Sequence, residues 1–178
     1  MKIAVNAGHC PGLDSGAVGR NSEEAEIVKS VAHALCYELE SMGHTPLFIQ
    51  ENELEDICDI ANEAEADIFV SIHCNAYNGK AHGTETWCYE YGDESYRLAD
   101  CVQKELLFTL GTTDRGIKTK NDGGLYVINH TDMPAILIEL AFIDNPAEED
   151  ILNDNIVEMA RAIARGIRSH ARREDYDE

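Results

Sequence analysis

Two histidines follow apolar, strand-like segments and are the residues best suited to metal chemistry. His9 comes shortly after the run 3–6, and His73 closes the run 67–73 (DIFVSIH). Imidazole is the commonest metal ligand in proteins, and sites in open α/β sheets form beyond the carboxyl ends of the strands. We therefore expect His9 and His73 to lie together at one edge of a sheet. The structural alternative is a pair of hydrogen-bonded histidines at strand ends.

A carboxylate near the start of the first predicted helix is the expected third ligand. Glu23, Glu24 and Glu26 all lie there. At about 100° per residue, only Glu24 points along the apolar stripe of this helix. An unpaired buried charge is costly, so a buried carboxylate needs a partner such as a metal ion. Glu24 could instead complete a capping box with Asn21 as the N-cap residue, and both readings stay open.

Glu139 is the one charged residue in the otherwise apolar run 135–142 (AILIELAF). An acid at this position contradicts the pattern of the strand, and such violations tend to mark functional positions. Burial would raise the pKa of its carboxyl group toward the range that is useful to a general base. A structural ion pair is the alternative, although no lone basic residue is an obvious partner.

Together these four residues predict metal-assisted amide hydrolysis. Two histidines and one glutamate on Zn²⁺ leave a position open for water, which is the pattern of a hydrolytic rather than a structural site. Zinc lowers the pKa of that water to about 7. Glu139 would take the proton of the water and later pass it to the leaving amine.

The elements that must position these residues alternate between strands and helices, which predicts an α/β layer sandwich with a largely parallel sheet. We expect one catalytic domain over residues 1–171 and an acidic, frayed tail over 172–178. The predicted strands are residues 3–6, 45–50, 67–73, 84–89, 125–129 and 135–142, and the predicted helices are 23–42, 54–65, 96–110 and 155–170.

Composition excludes several classes of partner. The chain has 178 residues, with 34 Asp and Glu against 14 Lys and Arg and a net charge of −20. One domain fits this length, and the charge argues against nucleic acid, whose binding needs a basic face. No apolar run is long enough to insert into a membrane. No signal peptide is visible, so we expect synthesis in the cytoplasm. The six cysteines form no CxxC pair, which disfavours a structural zinc site or a disulfide framework.

Short motifs that contain these residues occur in an ordered set. The motifs are 6–9 (NAGH), 14–19 (DSGAVG), the helix start at Glu24, 71–76 (SIHCNA), 83–86 (GTET), 115–118 (RGIK) and 133–139 (MPAILIE). In this order they resemble the zinc-dependent N-acetylmuramoyl-L-alanine amidases of the Amidase_3 family, over roughly residues 2–170.

The resemblance implies a function and a set of residue roles. The implied reaction is cleavage of the amide between N-acetylmuramic acid and the L-alanine of the peptidoglycan stem, on a six-stranded sheet with helices on both faces. The implied zinc ligands are His9, Glu24 and His73. Glu139 is implied as the catalytic base. Asn75 and Arg115 are implied as substrate contacts, and Glu85 also matches a family position.

Two other functions are compatible with the sequence. Cys10 and Cys74 directly follow the two histidines, so a metal-independent cysteine hydrolase is one alternative. A catalytically silent wall-binding module of the same fold is the other. No separate wall-binding module is visible, and the missing export signal favours an endolysin or autolysin that reaches the wall after lysis or release. The sequence leaves the oligomeric state open.

Overall fold

The computed structural model describes the backbone of residues 1–177 and the side chains of residues 1–172. Within this part of the chain, six strands form one sheet in the order β2-β1-β3-β6-β4-β5. The first four strands in that order are mutually parallel, whereas β4 runs antiparallel to β6 and pairs in parallel with β5. The strands are β1 (Lys2–Ala7), β2 (Thr45–Ile49), β3 (Ile68–Asn75), β4 (Thr84–Cys88), β5 (Asp114–Lys118) and β6 (Ala135–Phe142).

Helices cover both faces of the sheet, so the predicted fold class is confirmed. One core cluster joins the sheet to α1, α3 and α6, and a second, smaller cluster joins the other face to α2 and α4. Strands buried on both faces explain why the central runs are almost continuously apolar. The helices are α1 (Glu24–Ser41), α2 (Leu54–Glu63), α3 (Glu94–Leu110), α4 (Tyr126–His130), α5 (Pro146–Asp154) and α6 (Ile156–Asp177).

The predicted strand over 125–129 is wrong, because this segment forms the short helix α4. Val127 and Ile128 are buried against α2 there, and a short apolar run cannot by its pattern alone distinguish a strand from a buried helical turn. The sixth strand is β5 at the sheet edge, which carries polar residues and Gly116 at φ +79°. Its composition is that of a loop, so the sequence did not predict it.

The carboxyl-end half of one sheet face is polar. Phe69 of β3 and Leu137 of β6 contribute to the core cluster beneath α2 and α4. Because side chains alternate along a strand, His73 and Glu139 project from that same face, nearer the carboxyl ends of their strands. Both residues therefore lie beyond the part of this face that α2 and α4 cover.

The chain end leaves one prediction open. The predicted acidic tail, 172–178, falls almost entirely on residues whose side chains are outside the described part of the chain, so its boundary stays a prediction. Among the helices that are described, none has the length and apolar character needed to cross a bilayer.

Candidate active site

His9 lies just beyond β1, in a turn that folds back on itself. Its φ of +58° is uncommon for a residue other than glycine. Cys10 and Asp14 exchange backbone hydrogen bonds of 3.0 and 2.8 Å, which brings Asp14 back over the ring. Asp14 Oδ2 lies 2.6 Å from His9 Nδ1, and this contact leaves Nε2 directed at Glu24 Oε2, 3.3 Å away. A carboxylate that holds one ring nitrogen orients the other for a metal.

Glu24 is the first residue of α1 and only 2% exposed. Its Oε1 lies 3.0 Å from His73 Nδ1 and accepts the Cys74 backbone N–H at 2.9 Å. Its Oε2 accepts the Ala17 N–H at 2.8 Å. The N-cap residue is Glu23, with no side-chain capping bond. The capping-box reading is therefore wrong, because the carboxylate of Glu24 points into the site.

The charge of Glu24 is secured by its neighbours. Burial alone would raise the pKa of this carboxyl group, but hydrogen bonds with His73 and His9 hold the pKa well below its usual range. The hydrogen bond between Glu24 and His9 also raises the pKa of His9 to about 9. Burial opposes this rise, and the hydrogen bond with Asp14 adds to it. A cation bound here has to displace that proton, so its binding is favoured as the pH rises.

His9, Glu24 and His73 form a cluster that fits a single metal ion. One ligand atom from each lies within 4.8 Å of the others. A Cβ at Gly8 would lie 2.2 Å from the His73 ring, and a Cβ at Gly16 would lie 2.5 Å from the His9 ring. Two imidazoles and an ionised carboxylate are the donors of catalytic zinc sites. The cluster therefore suits Zn²⁺, and both glycines are needed to leave room for its ligands.

Glu139 occupies the next strand beside this cluster. In the register of the sheet it pairs with His73 on one side and with Glu85 on the other. Its Oε2 is buried and has no hydrogen-bond partner among the described residues. Burial, and then the carboxylates of Glu24 and Glu85, raises the pKa of Glu139 well above its usual range. That arrangement is the one that a general base needs, and no ion pair of Glu139 is found within the described chain.

Glu85 accepts hydrogen bonds from both residues that were expected to contact substrate. Arg115 Nε donates to its Oε2 at 2.8 Å, and Asn75 Nδ2 donates to its Oε1 at 3.3 Å. The indole N–H of Trp87 also reaches Oε1, at 3.3 Å. Glu85 itself is only 5% exposed. Asn75 and Arg115 are therefore neighbours of the site, held together by a buried carboxylate beside Glu139.

Comparison with known proteins decides the family. The family model described as N-acetylmuramoyl-L-alanine amidase, Amidase_3, matches residues 3–169. The chain belongs to this family. The uncharacterized protein YqiI of Bacillus subtilis is 37% identical over 177 residues, which are 94% of this chain and 84% of YqiI. The N-acetylmuramoyl-L-alanine amidase LytC of B. subtilis is 34% identical over 183 residues, which are 96% of this chain but 35% of LytC.

Solved structures of amidases share the fold of this family member. The catalytic domain of CwlV, an N-acetylmuramoyl-L-alanine amidase from Bacillus (Paenibacillus) polymyxa, matches with a TM-score of 0.86 at 30% identity. The match covers 96% of this chain and 97% of that domain. The predicted membership of the Amidase_3 family is thus confirmed, and the comparisons support an amidase that acts on the cell wall.

Two features of this amidase-family chain bear on the cysteine alternative. Cys74 is 4% exposed and belongs to the core cluster under α1. Burial, together with the carboxylates of Glu24 and Glu139, raises the pKa of its thiol well above the usual range. A buried thiol of this kind is no nucleophile, so the cysteine alternative loses one of its two residues.

Sequence reasoning missed the role of Asp14 and gave Glu85 too little weight. Asp14 appeared only as part of a motif, because its contact with His9 depends on a turn that local periodicity does not reveal. The orientation of Glu85 depends on the antiparallel register between β4 and β6. The available signal for Asp14 was an acidic residue five positions after His9, in a segment rich in glycine.

Proposed function

We propose that this chain is a zinc-dependent N-acetylmuramoyl-L-alanine amidase that hydrolyses the amide between N-acetylmuramic acid and L-alanine in peptidoglycan. One observation carries the proposal: His9, Glu24 and His73 converge within 4.8 Å of one another, and Glu139 lies on the strand next to His73. Family membership supports the choice of bond. The roles of the individual residues rest on their geometry and chemistry.

The three ligand residues would hold the metal, and zinc would supply Lewis-acid activation of water and of the amide carbonyl. Asp14 fixes the ring of His9 so that Nε2 faces the site. Glu24 stays ionised, because its neighbours keep its pKa low. The protein thus presents a preorganised set of donors that does not have to rearrange during the reaction.

Glu139 moves the proton. Its buried Oε2, which lacks another partner among the described residues, accepts a proton from the attacking water as the oxygen of that water bonds to the carbonyl carbon. The carbon–nitrogen bond then breaks, and Glu139 returns the proton to the amine of L-alanine. A pKa raised by burial brings the carboxyl closer to the operating pH, where proton transfer in both directions is efficient.

The new terminus released from purified peptidoglycan tests this function. We expect the wild-type protein to release free L-alanine amines, and we expect removal of the metal with a chelator to abolish that release. Glu139→Gln should lower the rate by about 10²–10⁴-fold, the usual contribution of a general base. Glu26→Gln changes an exposed glutamate on α1 and should leave the rate unchanged.

Several outcomes would overturn the proposal. New reducing sugar ends would mean that the glycan chain is cleaved instead. Activity that survives the chelator but is lost on thiol alkylation would favour the cysteine hydrolase. Binding to sacculi without any cleavage would favour the silent module. Action on the wall after lysis or release stays a proposal that rests on the sequence.

A further inference from the structure

A cavity of about 350 Å³ adjoins the candidate metal cluster on one flank. This volume is near the lower end of the range for small-molecule sites. Its lining includes His9 and His73 as well as the first residues of α2 and α4. The apolar lining residues are Leu54, Ile57, Leu125, Tyr126, Val127 and Leu137.

The charged side chains of this cavity determine which ligands it can bind. Its acidic side chains are Asp14 and Glu51, and no lysine or arginine with a described side chain lines it. Tyr126 stacks on His130 with ring centroids 3.9 Å apart and is 39% exposed. A flat, held aromatic ring beside apolar side chains suits the apolar face of a neutral ligand. Two carboxylates at the same place disfavour an anionic one.

The flank on the other side of Glu139 from this cavity carries an arginine. Across the sheet from His73 come Glu139, then Glu85, then Arg115 on the edge strand β5. The guanidinium of Arg115 packs over the ring of Phe142 at 4.8 Å, and the Arg115 side chain is 37% exposed. Its Nε donates to Glu85 and its Nη1 to the His82 carbonyl oxygen at 3.4 Å, but arginine has five N–H donors. Glu139 therefore lies between a cavity that is lined by two carboxylates and a flank where Arg115, although paired with Glu85, has further N–H donors.

The two halves of the proposed substrate differ in the same way. Once its lactyl carboxyl is in amide linkage, the N-acetylmuramoyl sugar carries no charge, whereas the peptide stem carries free carboxylates. We propose that the cavity beside His9 and His73 binds the N-acetylmuramoyl sugar and that the stem peptide lies along the Glu85–Arg115 flank. This orientation rests on the proposed function and adds the direction in which the substrate crosses Glu139.

Binding of the two halves can be followed separately by NMR. The protein is zinc-loaded Glu139→Gln with isotope-labelled methyl groups and arginine nitrogens, and the probes are the methylamide of N-acetylmuramic acid and the dipeptide L-alanyl-γ-D-glutamate. The sugar should shift the methyl signals of Leu54, Ile57 and Val127, and the dipeptide should shift the Nε–H signal of Arg115. A dipeptide that shifts the cavity methyl groups, or a sugar that leaves them unchanged, would overturn the proposal.

Kinetics on a soluble muropeptide give a second, independent readout. Leu54, which is 49% exposed at the start of α2, can be enlarged to fill the cavity with little effect on the core. Leu54→Trp should raise KM about tenfold with kcat little changed, the sign of lost substrate binding rather than lost chemistry. Leu107→Trp, at a partly exposed leucine on α3, should change neither. Equal KM values for the two variants would contradict the sugar site.

Substrates that differ in the charge of the stem test the role of Arg115. The wild type should prefer a stem with a free α-carboxylate over one with a carboxamide, Arg115→Gln should lose that preference, and Arg115→Lys should recover part of it. Glu51→Gln should retain it. A wild type that prefers the carboxamide, with that preference lost in Glu51→Gln, would reverse the orientation. If the wild type releases L-alanine amines but these patterns fail, only the orientation is wrong. If no amide is cleaved although the NMR pattern appears, the proposed function is wrong.

Discussion

At the scale of single residues, Glu24 joins the parts of the candidate metal site. Each of its carboxylate oxygens contacts one histidine and one backbone N–H. A buried carboxylate is costly unless it is paired and hydrogen-bonded, and here protein groups contact both oxygens. These contacts hold the Glu24 carboxylate in place between the two histidines.

Asp14 is expected to tune metal affinity through His9 without contacting the metal. Its Oδ2 holds His9 Nδ1 at 2.6 Å, and loss of such a partner typically lowers metal affinity about 10–100-fold. Asp14→Ala should show this loss in a zinc titration, whereas Asp154→Asn, at an exposed position on α5, should not. Unchanged zinc affinity in Asp14→Ala would mean that His9 is oriented by the backbone alone.

At the scale of elements, α5 anchors the loop that connects β1 to α1. Glu149 of α5 is 1% exposed and accepts the Asn21 N–H at 2.7 Å, the Ser22 hydroxyl at 2.9 Å and Arg20 Nε at 2.8 Å. The same loop carries Ala17, whose N–H binds Glu24. A buried carboxylate outside the candidate site thus helps to place Glu24.

The stability contributed by Glu149 should depend on pH in a defined window. Burial opposes its ionisation, but hydrogen bonds from Asn21, Arg20 and Ser22 lower the pKa of Glu149 from 4.5 to about 2. A lowered folded pKa stabilises the protein above the unfolded value, and the effect is lost as the pH falls toward the folded value. Glu149→Gln should reduce the free energy of unfolding by about 2 kcal/mol near neutral pH. That difference should shrink between pH 4.5 and about 2.

Urea unfolding of the two proteins across this range measures the effect. Glu158→Gln, which alters an exposed glutamate on α6, is the matched control and should unfold like the wild type at every pH. A difference between Glu149→Gln and wild type that stays constant down to about pH 2 would show that the carboxylate charge of Glu149 is not what anchors the loop.

The elements also show which parts of the structure were predictable. His9 and His73 could be found because uninterrupted apolar runs mark central strands, and Glu24 and Glu139 because their charge conflicts with an apolar stripe or strand. These signals are local. The strand β5, the helix α4 and the neighbours of Glu85 depend on strand pairing and on packing between distant segments, which sequence periodicity does not encode.

At the scale of the whole molecule, the net charge of −20 gives the protein no long-range attraction for an acidic polymer. Recognition must then come from short-range contacts, which salt screens only weakly when they are partly buried. We expect kcat/KM on purified peptidoglycan to show no steep fall as ionic strength rises from about 0.01 M to about 1 M, where the screening length drops from about 30 Å to about 3 Å. A steep loss, with the circular dichroism unchanged, would reveal attractive steering by the overall charge.

The central claim is that His9, Glu24 and His73 hold one zinc ion while Glu139 stays free to act as the base. Calorimetric titration of the metal-free protein with Zn²⁺ tests it most directly, with thermal unfolding as a check that each variant is folded. Wild type and Glu139→Gln should each bind one ion with similar affinity. Glu24→Gln should bind more than about a hundredfold more weakly, because loss of a ligand costs more than loss of a residue that only hydrogen-bonds to a ligand. Undiminished binding in folded Glu24→Gln, or lost binding in Glu139→Gln, would contradict the assignment of ligands and base.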